Sequence, residues 1–72
     1  MDQKMIDDLN VRFTYHKPKD GQAERYVSIR DKAKELAVHI VENSPASREQ
    51  SLAITALEEA VMWANAAIAR RE

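Results

Sequence analysis

The sequence predicts an all-α protein: a short N-terminal helix followed by a long antiparallel helical hairpin, assembled into an oligomer. Three observations carry this. The chain has one glycine and two prolines, and they fall in only two places, around Pro18–Gly21 and within Asn43-Ser44-Pro45-Ala46-Ser47, which marks two loops and leaves long uninterrupted segments between them. Apolar residues in those segments recur at spacings of three and four, the period of one helix face. And 72 residues without cysteine form one thin-cored domain that lacks disulfides as a staple, so self-association is the expected compensation. The expected organisation is a single domain over 1–72, with helices at about 2–10, 22–42 and 46–70.

Residues 2–10 supply about two turns with Met5, Ile6 and Leu9 facing inward. A helix this short needs tertiary support. Val11 to Tyr15 then reads as extended. The first long helix carries Tyr26, Ile29, Ala33, Leu36, Ala37 and Ile40 on one face, with Asp20 as its expected N-cap. The second starts near Pro45 or Ser47: Ser44 before Pro45 suits an N-cap and first position, while Ser47 with Gln50 reads as a capping box. Beyond that start it holds seven alanines, Ala53, Ala56, Ala60, Ala64, Ala66, Ala67 and Ala69, and helix propensity alone favours it. Ile54, Leu57, Val61, Ala64 and Ile68 form one seam. Ala53, Ala56, Ala60, Trp63 and Ala67 extend the apolar character round the side, so this helix is expected to be contacted twice: by its hairpin partner and by another subunit whose helix approaches the small residues closely.

Composition excludes several function classes. Eleven basic and twelve acidic side chains give a net charge of −1, which argues against generic binding of duplex DNA or RNA. A helix-turn-helix reader is disfavoured further, because the second long helix is alanine-rich where base-reading side chains are needed. The longest continuous apolar run falls short of the roughly 18–20 residues that cross a bilayer, and Met1-Asp2-Gln3-Lys4 opens no charged-then-apolar leader. A cytoplasmic protein with no membrane partner is the expectation. His16 and His39 lack the flanking ligands of a metal site, and His39 reads as a packed or half-exposed side chain. No Gly-rich phosphate loop, nucleophile elbow, HExxH or CxxC occurs. Asp7-Asp8 and Glu58-Glu59 are adjacent on helices, hence about 100° apart, and neither pair is a catalytic dyad by spacing. Neither an enzyme nor a cofactor is expected.

Cations and aromatics interleave between residues 12 and 30: Arg12, Phe13, Tyr15, His16, Lys17, Lys19, Arg25, Tyr26 and Arg30. Such a mixture binds nucleotides, because rings stack on bases while Arg and Lys donate charge-assisted hydrogen bonds to phosphate oxygens. The structural alternative places Phe13 and Tyr26 in the core, Tyr15 at a packed loop and the cations in solvent. Trp63 reads as a packing anchor at a core or interface. Asn65, between Ala64 and Ala66, is read either as setting helix register or as facing water, and Arg70-Arg71 complement the negative end of the last helix.

Phe13-Thr14-Tyr15-His16, Pro18, Gln22, Arg25-Tyr26, Ile29-Arg30, the Ser44-Pro45-Ala46-Ser47-Arg48-Glu49 loop and the run Leu57-Glu58-Glu59-Ala60-Val61-Met62-Trp63-Ala64-Asn65-Ala66-Ala67-Ile68-Ala69-Arg70 together resemble the phage helical-hairpin family of anti-CBASS and anti-Thoeris nucleotide sponges. The resemblance spans nearly the whole chain. It implies a phage protein in an infected bacterium that sequesters cyclic nucleotide second messengers without breaking a bond. It also implies a homohexamer of interlocked hairpins, with cyclic dinucleotide pockets between subunits and, in some members, separate cyclic trinucleotide pockets. On that resemblance the stacking tyrosine is Tyr15 and the phosphate-binding cation is Arg30, with His16 and Lys32 beside them. The arginine of the trinucleotide site is Arg70 or Arg71. A reading from a different class is a small assembly module whose apolar helix face recruits another protein and which binds no nucleotide.

Overall fold

Three α-helices make up the computed structural model, which covers Met1–Glu72: α1 (Gln3–Phe13), α2 (Gln22–Asn43) and α3 (Arg48–Arg71), with no strand. α1 begins where the Asp2 carboxylate accepts a hydrogen bond from the Met5 backbone N–H at 2.8 Å, satisfying one of the unpaired donors of the first turn. Its C-terminus corrects the expectation. Val11 to Phe13 are helical rather than extended, and the chain turns to extended backbone at Thr14. An Asp8–Arg12 ion pair at 2.9 Å, four residues apart, spans that added turn, and a cation in the last turn suits the helix dipole.

The start of α2 also differs from expectation. Gly21, not Asp20, is the N-cap, with φ of +83° and no side-chain cap. A residue with a Cβ is strained in that left-handed conformation, so glycine is what this turn requires. At its other end α2 is closed by side chains that donate to its last carbonyls: Asn43 Nδ2 to His39 O at 2.8 Å and Ser44 Oγ to Ile40 O at 2.6 Å. With Ser44 engaged there, the start of α3 is decided in favour of Ser47, whose Oγ accepts from the Gln50 N–H at 3.1 Å. Arg48, two residues later than expected, is the first helical residue. The capping box forms only by half. The Gln50 amide, instead of reaching back to the Ser47 N–H, donates to Ser44 O at 2.9 Å and Ser44 Oγ at 3.0 Å, and so braces the hairpin turn.

α2 and α3 pack as an antiparallel pair. Tyr26, Ile29, Ala33, Ala37 and Ile40 of α2 meet Ile54, Leu57, Val61, Ala64 and Ile68 of α3, all half-buried except Ile68, which is buried. Leu36, expected in this seam, is 47% exposed instead. Of all 72 residues only Ile68 and Gln22 are buried. α1 buries none of its residues.

The reason is geometric. The molecule measures 49 × 31 × 13 Å, and its smallest dimension is about one helix diameter, 10–12 Å with side chains. It is a single layer of helices, whereas a domain ordinarily encloses its core between two. Its radius of gyration is 16.0 Å, against about 11 Å for a globular chain of this length. The accessible surface is 5943 Å², against about 4,500 Å² for a globular monomer of 8.2 kDa. The excess of about 1,400 Å² approaches twice the roughly 800 Å² that one partner contributes to a standard interface. Met62, Trp63, Val38 and Val41 are among the large apolar side chains left half-exposed or more.

α3 is also long and apolar enough over 18 residues to cross a membrane. A continuous-run criterion misses this because Thr55, Glu58, Glu59 and Asn65 interrupt the alanine-rich stretch. Glu58 and Glu59 lie near the helix midpoint, where an acidic side chain costs about 2.5–3.5 kcal/mol in a bilayer centre. Those two charges oppose insertion.

Candidate functional site

Between α1 and α2, residues 14–21 form a loop that carries Tyr15 with its side chain fully in reach of solvent, 83% exposed. The ring is free, but the chain that follows it is held at two points. Immediately after it, the half-buried His16 donates from Nε2 to the Val11 carbonyl oxygen at 2.8 Å, since a carbonyl only accepts. Further on, the Lys19 N–H donates to Gln22 Oε1 at 2.9 Å and the Gln22 N–H donates to the Lys19 carbonyl at 3.0 Å.

Gln22 is 3% exposed and is the only buried polar residue. Its amide nitrogen donates across the hairpin to the Ile68 carbonyl at 3.3 Å and to Glu72 Oε1 at 3.2 Å. Glu72 is gripped further by Arg25, whose guanidinium binds both carboxylate oxygens, and Lys19 Nζ donates to the Glu72 backbone carbonyl at 2.6 Å. The Arg25 hydrogen bonds, with the Gln22 amide adding to them, hold the Glu72 carboxyl down at about 2. The same pairing raises Arg25 above its ordinary value. Both effects have one cause: the charged forms are the ones that hydrogen-bond. The result is a polar clasp where the N-terminus of α2 meets the C-terminus of α3.

Three grooves bear on the residues singled out in the sequence. Arg30 and Arg70 face each other across a groove of about 340 Å³ with Tyr26 and Asn65. The Asn65 Oδ1 at that groove is buried without a hydrogen-bond partner, and an acceptor left so costs about 1–3 kcal/mol until a donor reaches it. Arg30 also borders an apolar groove of about 380 Å³ along the α2–α3 seam, beside Ile54, Leu57 and Val61. A third groove, of about 490 Å³, lies between the end of α1 and the last turns of α3, where Arg12, Arg70 and Arg71 surround the exposed rings of Phe13 and Trp63.

The structure therefore brings Arg30 together with Arg70, and Arg70 with Arg71, but Tyr15 shares no groove with Arg30. Tyr15 lines none of these grooves, and α2 carries Arg30 roughly 13 Å along its axis from Gly21. Lys32 is exposed on α2 and also lines none of them. Phe13 and Trp63 are 82% and 68% exposed, so neither belongs to a core of this chain, and only Tyr26 of the aromatics follows the structural alternative. His39 accepts from Asn43 Nδ2 through Nδ1 at 3.2 Å on the exposed side of α2. Sequence reasoning missed the Gln22–Arg25–Glu72 clasp, in which Glu72 lies 50 and 47 positions from its two partners. A buried glutamine in the first turn of an otherwise exposed helix end leaves no periodic signal.

No group of three or more His, Asp or Glu side chains is placed to hold a metal ion. What the arrangement can do is bind: exposed rings for stacking, and guanidinium groups bordering grooves that are open on one side. No curated protein and no solved structure matches the chain. The family model described as "Acb2/Tad1, hairpin domain" matches residues 5–69, which takes in all of the seam, the tyrosine loop and Arg30 and ends one residue before Arg70; the chain belongs to this family, that of the anti-CBASS and anti-Thoeris sponges.

Proposed function

We propose that this chain binds and sequesters cyclic oligonucleotide second messengers, cyclic dinucleotides first among them, without degrading them, and so blocks CBASS-type immune signalling in the cytoplasm of an infected bacterium. The observation that carries the reading is membership of the sponge family over residues 5–69. The physical features agree with it. A cyclic dinucleotide presents two bases and two phosphates related by a two-fold axis, and a two-fold contact between identical chains presents each recognition group twice. Tyr15 supplies the stacking ring and Arg30 the phosphate-binding guanidinium, from neighbouring copies, which removes the difficulty that within a single chain they share no groove. His16 Nδ1 and Lys32 are the flanking contacts.

The single-layer form supports self-association, with a homohexamer as the proposed assembly, because the surplus surface and exposed Met62 and Trp63 need a covering layer. The groove of Arg12, Phe13, Trp63, Arg70 and Arg71 is the proposed place for a cyclic trinucleotide. No metal, no duplex nucleic acid and no membrane take part in this reading, and the protein is not an enzyme: titration, not turnover, lowers the messenger concentration.

The same exposed apolar side chains favour a second reading, an assembly module with no nucleotide ligand. Calorimetry with a panel of cyclic di- and trinucleotides separates the two. Sequestration requires saturable binding and recovery of the nucleotide intact after the protein is denatured. Absence of heat for every nucleotide leaves the assembly module, and recovery of a linearised product makes the protein a phosphodiesterase.

A further inference from the structure

We infer that Gln22 is a positioning residue for Tyr15: it fixes the 14–21 loop so that the ring is already presented when a nucleotide arrives. This rests on the nucleotide-binding reading above. An exposed stacking ring on a free loop would lose affinity to the ordering of that loop on binding, and a loop held in place beforehand avoids the loss. The loop has two anchors, both after Tyr15, and Gln22 acts on the ring through the short span that joins them. His16 ties its beginning to the Val11 carbonyl at 2.8 Å. Gln22 ties its end by accepting from the Lys19 N–H at 2.9 Å, and only Lys17 and Pro18 lie between the two anchors. Proline restricts its own φ and the conformation of Lys17 before it, so this short span has little freedom left.

The chemistry of this position selects glutamine. The side chain must accept at one end, from Lys19, and donate at the other, to Ile68 O at 3.3 Å and Glu72 Oε1 at 3.2 Å. Turning the amide over would set its NH2 against the Lys19 N–H and its oxygen against a carbonyl and a carboxylate, so the partners fix its orientation. Glutamate lacks the donor. Methionine has the length but neither a strong donor nor a strong acceptor. Because Gln22 is 3% exposed, water does not substitute for the missing partners. The donor end also makes the loop depend on α3: Gln22 reaches Ile68 and Glu72, and Lys19 Nζ reaches the Glu72 carbonyl, so the tyrosine loop is referenced to the hairpin as well as to α1.

The test compares the parent chain with Gln22→Met, Gln22→Glu, Glu72→Ala and Glu72→Gln. Backbone ¹⁵N relaxation at Tyr15 to Lys19 is measured without ligand, and affinity is measured for cyclic di-AMP and cyclic di-GMP. Gln22→Met and Gln22→Glu are expected to loosen the loop and weaken binding about tenfold, the loss of one buried hydrogen-bonding group. Glu72→Ala, at a part-exposed position, produces a smaller loss in the same direction, and Glu72→Gln, which keeps an acceptor for Gln22, retains parental binding. In a Tyr15→Ala background the Gln22 substitutions should have no further effect on affinity, because the group they position is gone. Parental affinity and parental loop order in Gln22→Met and Glu72→Ala overturn the inference while leaving the sponge reading intact. A Gln22 loss that adds in full to the Tyr15→Ala loss overturns it too, since a general packing defect behaves that way. A parent chain that binds neither of these nor any other cyclic di- or trinucleotide of the panel overturns both.

Discussion

Trp63→Ala isolates the part of this structure that a single chain leaves incomplete. Trp63 stands on α3 beside Met62, on the side away from the hairpin seam, and is 68% exposed. A tryptophan buries up to about 250 Å² when fully enclosed, so about 170 Å² remains for a neighbouring copy to cover. At about 25 cal/mol per Å² that area is worth about 4 kcal/mol per side chain, an upper bound of roughly a thousandfold in association constant. The substitution leaves the hairpin seam untouched and replaces tryptophan by a better helix former, so the helical content of the chain should persist. Sedimentation velocity across the micromolar range, with circular dichroism on the same samples, separates the two effects. The expected outcome is a parent chain that sediments as an oligomer and a helical Trp63→Ala variant that dissociates at concentrations where the parent does not. Equal association of the two proteins would refute the assignment of this face to self-assembly.

Three further outcomes follow from the same geometry. Tyr15→Ala should weaken cyclic dinucleotide binding by about 1–3 kcal/mol per stacked base, and Arg30→Ala by about 1.5–3 kcal/mol for a charge-assisted contact; calorimetry reads both, and parental affinity in both variants removes these residues from the site. Gly21→Ala meets no atom within 4 Å but must adopt φ of +83°, so it should lower thermal stability by about 1–2 kcal/mol through backbone strain alone, and an unchanged melting temperature would contradict the left-handed turn. Glu72, with its carboxyl held at about 2, stabilises the fold fully above the ordinary carboxylate range and loses that contribution as pH falls through about 2. The parent should therefore lose more stability than Glu72→Gln between pH 5 and about 2, and parallel melting curves would show that the carboxylate makes no such contribution.

The hairpin was legible because its signals are local. Glycine and proline occur only at the two turns, and Ile54, Leu57, Val61, Ala64 and Ile68 repeat at helical spacing along one side of α3. What escaped was decided by competition between equivalent groups or by distance along the chain. Ser44 and Ser47 both suit a cap, and only the engagement of Ser44 with the Ile40 carbonyl leaves Ser47 to start α3. Val11 and Phe13 have no strong helix propensity, and the Asp8–Arg12 pair that accompanies their helical turn is weak in sequence terms. Asp20 is a better cap by residue type than Gly21, but the left-handed turn at Gly21 places the helix start one residue later.

For the candidate site, the interleaving of cations and aromatics was legible and its arrangement in the fold was not. Arg30 and Arg70 are forty positions apart, and only antiparallel packing brings them to one groove. Gln22, Arg25 and Glu72 form their clasp for the same reason, with no motif to announce it. Tyr15 was recognisable as an aromatic among cations, yet that it shares no groove with Arg30 within one chain followed only from the folded geometry.

The most direct test is native mass spectrometry of the purified chain with and without a mixture of cyclic di- and trinucleotides. The expected spectrum shows a closed homo-oligomer, six copies in the proposed assembly, whose mass rises by whole numbers of intact nucleotides. A single 8.2 kDa chain whose mass no nucleotide changes would contradict both the missing second layer and the ligand it is proposed to enclose.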